Sequence, residues 1–480
     1  MKQLGNFIGS YHKMSVQAKA SIWYSCCSIL QRGISFIIVP IYTRMLTTTE
    51  YGQYIVFQSW RDLLIIFATL NLYCGVFTKA MVDYKTDRNI YTSSMQGLSS
   101  VVTFILLLIY LTAYSFWNNL LGMDLITMVL LFSYYFTYPA FSFWSVRQRV
   151  EYKYKRMVLI TFMISIFTPL LSIILLKFSD LRENAVIWGF LIIQIIVGFF
   201  FYIGNFLKGK IFYHKEYWIH ALKFNLPLIP HYLSLIVLGQ ADRIMIDSMC
   251  GADKAGIYGL AYSISQLMVI FISAINGSFV PWIYEQLKKK EYKTIAKISN
   301  VLCIFVGFMS LGAILISPEI IRVLGTKEYM EAVWVVPVVS LSVYYTFCYG
   351  LFSNIEFYFN ATSYVMIAST VGAVLNVLLN YLLIPIFGYI VAAYTTLICY
   401  VLFMIMHYIF MRKVCKNKIG GIHIFNDRFI ILSTIVLFIM MFGCMLLYKN
   451  TVVRYFVIVV MAVLVIIILR KKEDIIKVVK

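Results

Sequence analysis

Polar and charged side chains inside long apolar stretches are the residues of this sequence whose chemistry has to be explained. Gln31 and Arg32 interrupt one stretch; Gln58, Arg61 and Asp62 interrupt the next at i, i+3 and i+4, which puts them on one helical face. A third, LPLIPHYLSLIVLGQADRIMIDSM, carries His231, Gln240, Asp242, Arg243 and Asp247. Gln240, Arg243 and Asp247 share a face, so Arg243 and Asp247 are spaced to pair. Asp242 points about 100° away from Arg243 and lies three helical turns beyond His231, nearly in line with it. A charge at the centre of a bilayer costs at least ~2.5–3.5 kcal/mol on insertion scales, so each group needs a partner helix, a wet cavity or a ligand. Arg32 has no acid within a turn on its own helix, and its counter-charge must come from another helix, a headgroup or a substrate. The group from Asp242 to Asp247 sits toward one end of its stretch and reads as a gate or rim, and His231 reads either as a residue that changes protonation during function or as a hydrogen-bonded packing residue. The structural alternative is that Arg61 with Asp62, and Arg243 with Asp247, only neutralise each other. Asn276, Asn376 and Asn380 read as hydrogen-bonding links between helices.

The elements that position these residues follow from composition. The chain has 480 residues, 61% hydrophobic and 13% charged, with a mean hydropathy of +0.83. Soluble domains are about 45–50% apolar and about 25% charged, so water-soluble domains are excluded and an integral membrane protein remains. With 17% aromatic residues and 9 prolines, a disordered or collagen-like chain is excluded as well. A hydrocarbon core of ~30 Å needs ~20 apolar helical residues. Fourteen such stretches occur, at 18–43, 53–78, 93–116, 124–146, 157–177, 184–207, 225–247, 255–284, 296–317, 333–355, 364–386, 389–411, 429–448 and 452–469. They lack the ten-residue alternation of a membrane β-barrel, which predicts an all-α fold with about 14 transmembrane helices. The division expected is a six-helix lobe over 1–207, a second over 208–411, and two further helices with a basic tail over 412–480.

The net charge of +20 is then a topology signal. With both termini on the cytoplasmic side, and with Lys19, Lys177, Lys297 and Arg454 at the span ends counted with the adjoining segments, 30 of the 41 Lys and Arg fall in cytoplasmic segments, 8 in external ones, and 3 well within spans: Arg32, Arg61 and Arg243. The cytoplasmic clusters are Arg147 to Arg156, Lys208 to Lys223, Lys288 to Lys293, Arg412 to Arg428 and the tail from Arg470. Nucleic acid is not needed to explain the charge. An internal repeat links Thr49-Glu50-Tyr51-Gly52-Gln53-Tyr54 to Asp253-Lys254-Ala255-Gly256-Ile257-Tyr258, six spans apart, which predicts parallel repeats about an axis along the membrane normal. The longest external loop, Pro318 to Ala332, leaves no room for a separate domain. Nine scattered cysteines have no metal-ligand spacing. No phosphate-binding GxxxxGK[ST], HExxH or GxSxG motif is present, so the sequence predicts neither an enzyme nor a bound cofactor. The first twenty residues lack the apolar run of a cleaved signal peptide, and the first span is expected to direct insertion.

Pro40-Ile41-Tyr42-Thr43-Arg44-Met45-Leu46 with Glu50-Tyr51-Gly52-Gln53-Tyr54, and Asn225-Leu226-Pro227-Leu228-Ile229-Pro230 leading into Gln240-Ala241-Asp242-Arg243-Ile244-Met245-Ile246 and Ala255-Gly256-Ile257-Tyr258, resemble the Wzx-type polysaccharide flippases. These belong to the exporter superfamily that also holds MATE transporters and lipid II flippases. The resemblance covers residues 15–415 in organisation and implies two six-helix lobes around a cavity. It implies translocation of an undecaprenyl-pyrophosphate-linked oligosaccharide repeat unit across the bacterial cytoplasmic (inner) membrane by alternating access, for O-antigen or capsule assembly. On this reading Arg32 and Arg61, with Gln31 and Gln58, bind the anionic substrate. Asp62, His231, Asp242, Arg243 and Asp247 serve as gate or ion-coupling residues for an H⁺ or Na⁺ gradient. The implied partners are the lipid-linked glycan, membrane lipids, and a glycan polymerase with other assembly proteins. The alternatives are a MATE-like cation-coupled exporter, a lipid II flippase, and a membrane enzyme acting on a lipid-linked sugar.

Overall fold

The computed structural model describes residues 14–470. The tail residues Lys471 and Lys472, counted above with the basic clusters, lie outside them. The described residues form eighteen α-helices joined by short turns and 3₁₀ segments, with no strands. The chain divides into two compact units, one through Ile244 and the other from Met245. The first contains α1 (Val16–Met45), α2 (Thr48–Thr69), α3 (Val76–Asp83), α4 (Arg88–Thr112), α5 (Tyr114–Leu121), α6 (Leu125–Val150), α7 (Tyr154–Phe178), α8 (Glu183–Gly209), α9 (Lys215–Asn225) and most of α10 (Ile229–Cys250). The second contains the end of α10, then α11 (Ala252–Lys289), α12 (Tyr292–Leu315), α13 (Ser317–Leu324), α14 (Val336–Tyr358), α15 (Thr362–Phe387), α16 (Val391–Ile419), α17 (Asp427–Leu446) and α18 (Thr451–Arg470).

Twelve helical segments among the described residues are long and apolar enough to cross a membrane, against fourteen stretches read from the sequence. The difference lies in α2, which carries Arg61 and Asp62 near its middle, and in α18, of which the part Thr451–Val463 counts only as a shorter apolar helix. The second stretch also ends earlier than expected. Leu70 and Asn71 adopt left-handed φ values of 49° and 53°, and the helix stops at Thr69 instead of running to 78. Side chains hold this turn: the Thr69 hydroxyl accepts the Asn71 N–H at 3.2 Å, and buried Asn225 donates Nδ2 to the Leu70 carbonyl at 2.5 Å. The carbonyl and amide released at the helix end therefore keep partners in an apolar setting.

In each unit one long helix packs along two others. In the first, α8 packs along α6 and α7; a Cβ on Gly198 would meet the Thr137 backbone at 2.7 Å, so glycine sets the closeness of α8 to α6. In the second, α16 packs along α14 and α15. Asn376 donates to Thr396 at 3.1 Å and Asn380 to Asn376 at 3.4 Å, while the Thr395 hydroxyl donates to Asn380. Asn376 and Asn380 thus join α15 to α16, as the sequence suggested.

The repeated segments occupy matching places. Thr47 and Glu50 form a capping box at the start of α2, with Thr47 N to Glu50 Oε2 at 2.8 Å. Arg182, just before α8, grips the same carboxylate through Nε at 2.7 Å and Nη2 at 2.9 Å. At the start of α11, Lys254 stands where the repeat aligns it with Glu50, and its ammonium reaches Glu331 at 2.9 Å. Tyr389, just before α16, donates to that same Glu331 oxygen at 2.9 Å. The position is reused with the opposite charge. Glu331 belongs to the expected external loop, which folds as α13 and a 3₁₀ helix, Lys327–Trp334, instead of an open loop.

Candidate functional site

The first unit holds a cavity of about 420 Å³. α2 contributes Arg61 and Asp62, α6 contributes Tyr134 and Tyr138, α8 contributes Phe190 and Gln194, and α10 contributes Gly239 and Gln240. Its walls combine aromatic rings with hydroxyl, amide and charged groups, a mixture that can orient a ligand.

A connected set of bonds fixes the charged part. Arg61 donates Nε and Nη2 to one Asp62 oxygen, at 2.9 and 2.7 Å. The other Asp62 oxygen accepts Gln240 Nε2 at 3.3 Å. Gln240 Oε1 then accepts the Ser59 hydroxyl at 3.2 Å and Arg243 Nη1 at 2.7 Å. Both ends of the amide are used in the only orientation that suits two donors on one side and a carboxylate on the other. Arg243 sends the same Nη1 one turn back to the Gly239 carbonyl at 2.6 Å. The Arg61 guanidinium lies 4.6 Å from the Phe190 ring centre, and Tyr135 donates to the Arg61 carbonyl at 3.0 Å. Arg61 and Asp62 are therefore a compensated pair, 14% and 35% exposed. The cavity presents tyrosines, amides and a neutral ion pair, and no free carboxylate among its lining residues.

The structure thus brings together Arg61, Asp62, Gln240 and Arg243. Gln31, Arg32, Gln58 and His231 are not among the lining residues. Gln31, Gln58 and His231 are half-buried, Asp242 is buried beside Arg243, and Asp247, a turn further along α10, is half-buried. Arg32 is exposed on α1, with no hydrogen bond or ion pair to any described residue.

Sequence reasoning missed two features. Tyr134 and Tyr138 sit mid-span in the run SYYFTYP, although tyrosine favours the membrane interface; that displacement was the available signal. In the second unit, Glu356 of α14 and His407 of α16 are fully buried, with His407 Nδ1 at 2.9 and 3.1 Å from the two carboxylate oxygens. His407 stacks on Tyr349, ring centres 5.4 Å apart, and its Nε2 is buried without a partner among the described residues.

The first unit is a helical bundle with a polar and aromatic cavity, and solved structures share the fold of the chain. "Lipid II flippase MurJ, inward closed conformation" matches with a TM-score of 0.68 at 13% identity, over 94% of this chain and 99% of that one. An inward-facing multidrug resistance MATE family transporter of the MOP superfamily matches at 0.57 and 11%, over 84% and 99%. The chain belongs to the polysaccharide biosynthesis protein family, whose model matches residues 18–287. It is 24% identical over 379 residues to an uncharacterized membrane protein of Haemophilus influenzae, covering 75% of this chain and 89% of the relative. It is also 25% identical to Lsg locus protein 1 of the same organism, over 57% of this chain and 67% of the relative.

Proposed function

We propose that this multi-pass membrane protein translocates undecaprenyl-pyrophosphate-linked oligosaccharide repeat units from the cytoplasmic to the external leaflet of a bacterial inner membrane, by alternating access and without chemical conversion of the substrate. The observation that carries the reading is the difference between the two arginines first assigned to the substrate. Arg61 is neutralised by Asp62 inside an aromatic and amide-lined cavity, which suits the hydroxyl-rich, flat-faced surface of a sugar. Arg32 is exposed on α1 with its charge uncompensated by any described residue, which suits the pyrophosphate. A MATE-like exporter of cationic drugs fits less well, because the cavity's carboxylate is already occupied by Arg61. A proton or Na⁺ gradient is proposed to drive the return step, with Asp62, His231 and Asp242 as coupling candidates and the Glu356–His407 pair added to them. O-antigen, capsule or a related surface polymer would be the product, with a polymerase acting next.

The test is Arg32→Ala in a strain whose surface polymer depends on this chain. At normal membrane abundance the variant should lose surface glycan, with lipid-linked repeat units accumulating inside. Full surface polymer would remove Arg32 from the site.

A further inference from the structure

Topology accounts for a basic face but not for a basic cavity. At the end of the first unit where α6 and α8 finish and α1 and α7 begin, a pocket of about 650 Å³ is lined by Arg147, Glu151, Lys153, Lys155, Arg156 and Lys208. Its walls include Trp144 and Tyr154, and its floor holds Gln148 and Asn205, both buried. Asn205 is fixed by bonds to the Ala140 carbonyl at 3.0 Å and to Gln96 at 3.1 Å. The floor is therefore built, not a gap between mobile surface chains.

The charges do not balance. Five cations line the pocket with one carboxylate, and Glu151 is already shared by Arg147 at 2.8 Å, Lys153 at 2.6 Å and Arg88 at 3.4 Å. Burial by itself would raise the Glu151 carboxyl, but hydrogen bonds from Lys153 and Arg147 outweigh it and hold the group below its ordinary range, so it stays an anion whose bonding is already committed. Lys155, Arg156 and Lys208 are exposed and have no carboxylate partner among the described residues. Val16, the first residue of α1, stands in the wall, adding the partial positive charge of a helix N-terminus. Convergent cations, a helix start and aromatic walls at the edge of a membrane bundle are the chemistry that holds a phosphate group on an amphiphile.

We propose that this pocket binds the phosphate or diphosphate headgroup of an anionic lipid lying in the leaflet on the basic side. The site is separate from the cavity at Arg61 and from Arg32. The proposal does not require the chain to translocate a glycan, because its readout is binding.

The full-length chain, delipidated in detergent, is titrated by native mass spectrometry with phosphatidylglycerol, undecaprenyl pyrophosphate and inorganic pyrophosphate. Diacylglycerol and undecaprenol are the phosphate-free controls. The pocket variant combines Lys155→Gln, Arg156→Gln and Lys208→Gln, all at exposed positions. A control variant removes the same charge elsewhere, through Lys288→Gln, Lys290→Gln and Lys293→Gln. A phosphate-bearing lipid should bind the pocket variant on the order of 10- to 100-fold more weakly, since each basic residue near an anionic headgroup contributes about 1 kcal/mol, and the control variant should match wild type. Loss confined to phosphatidylglycerol assigns the site to a membrane phospholipid, while loss shared by undecaprenyl pyrophosphate and inorganic pyrophosphate assigns it to a diphosphate. Equal weakening in both triple variants, or binding no tighter than that of the phosphate-free lipids, would overturn the proposal.

Discussion

Arg61 and Asp62 neutralise each other inside the cavity, and this changes what either can do for a ligand. Removing one partner leaves a charge that the cavity must carry alone, at a cost below the ~3–5 kcal/mol of a fully buried pair, because Asp62 is partly exposed. Asp62→Asn should therefore lower the unfolding temperature in detergent more than the double change Arg61→Met with Asp62→Leu, which removes both charges; equal losses would mean that water already screens the pair. The same logic applies more strongly to Glu356 and His407, whose side chains are both 0% exposed. Glu356→Leu with His407→Leu should be more stable than either single change, read by the same melt. The adjacency of Arg61 and Asp62 was legible in the sequence, and so was the shared face of Gln240 and Arg243. That Gln240 would bridge the two groups was not, because its partners are 178 and 3 residues away and only packing brings α2 to α10. Glu356 and His407, 51 residues apart, were invisible for the same reason: each looked like a residue near the end of its own stretch.

At the scale of elements, two predictions concern how helices end and meet. Asn225→Ala removes the donor to the Leu70 carbonyl and should destabilise the turn after α2 by about 1–3 kcal/mol, seen as faster hydrogen exchange over residues 66–76 with little change elsewhere. Gly198→Val places side-chain carbons against the Thr137 backbone and should cost about 1–3 kcal/mol by forcing α8 from α6; unchanged thermal stability would contradict the packing. The pinned helix starts also make a pH prediction. Hydrogen bonds from Arg182 hold the Glu50 carboxyl below its ordinary range, and those from Lys254 and Tyr389 do the same for Glu331. A carboxyl depressed in the folded state contributes stability that is present above the ordinary value of 4.5 and lost as pH falls through the depressed one. Both groups are partly exposed, so the effect should be local: protection from exchange at the starts of α2 and α11, taken relative to the intrinsic rate at each pH, should fall on acidification below that value, and Glu50→Gln should abolish that loss at α2. The turn at Leu70 shows the limit of reading spans by apolarity. Residues 70 to 75 are apolar enough to extend the helix, and only Asn71 and Gly75 hinted that the backbone would turn.

For the whole molecule, composition and charge already indicated a polytopic helical bundle, because no soluble domain could keep 61% hydrophobic residues solvated. The family follows from the matched residues, and the fold is shared with solved structures. What the chain carries depends on side chains that converge only after folding, and it is here that the intramembrane arginines separate into compensated Arg61 and uncompensated Arg32. The most direct measurement places the purified chain in liposomes containing a fluorescent undecaprenyl-pyrophosphate-linked oligosaccharide and follows its exposure to an impermeant external quencher, with a gradient imposed. The account predicts that wild-type protein brings inner-leaflet label within reach of the quencher, beyond the outer-leaflet share quenched in empty vesicles, and that Arg32→Ala returns quenching to that share. Wild-type vesicles indistinguishable from empty ones, across proton and Na⁺ gradients of either direction, would contradict it.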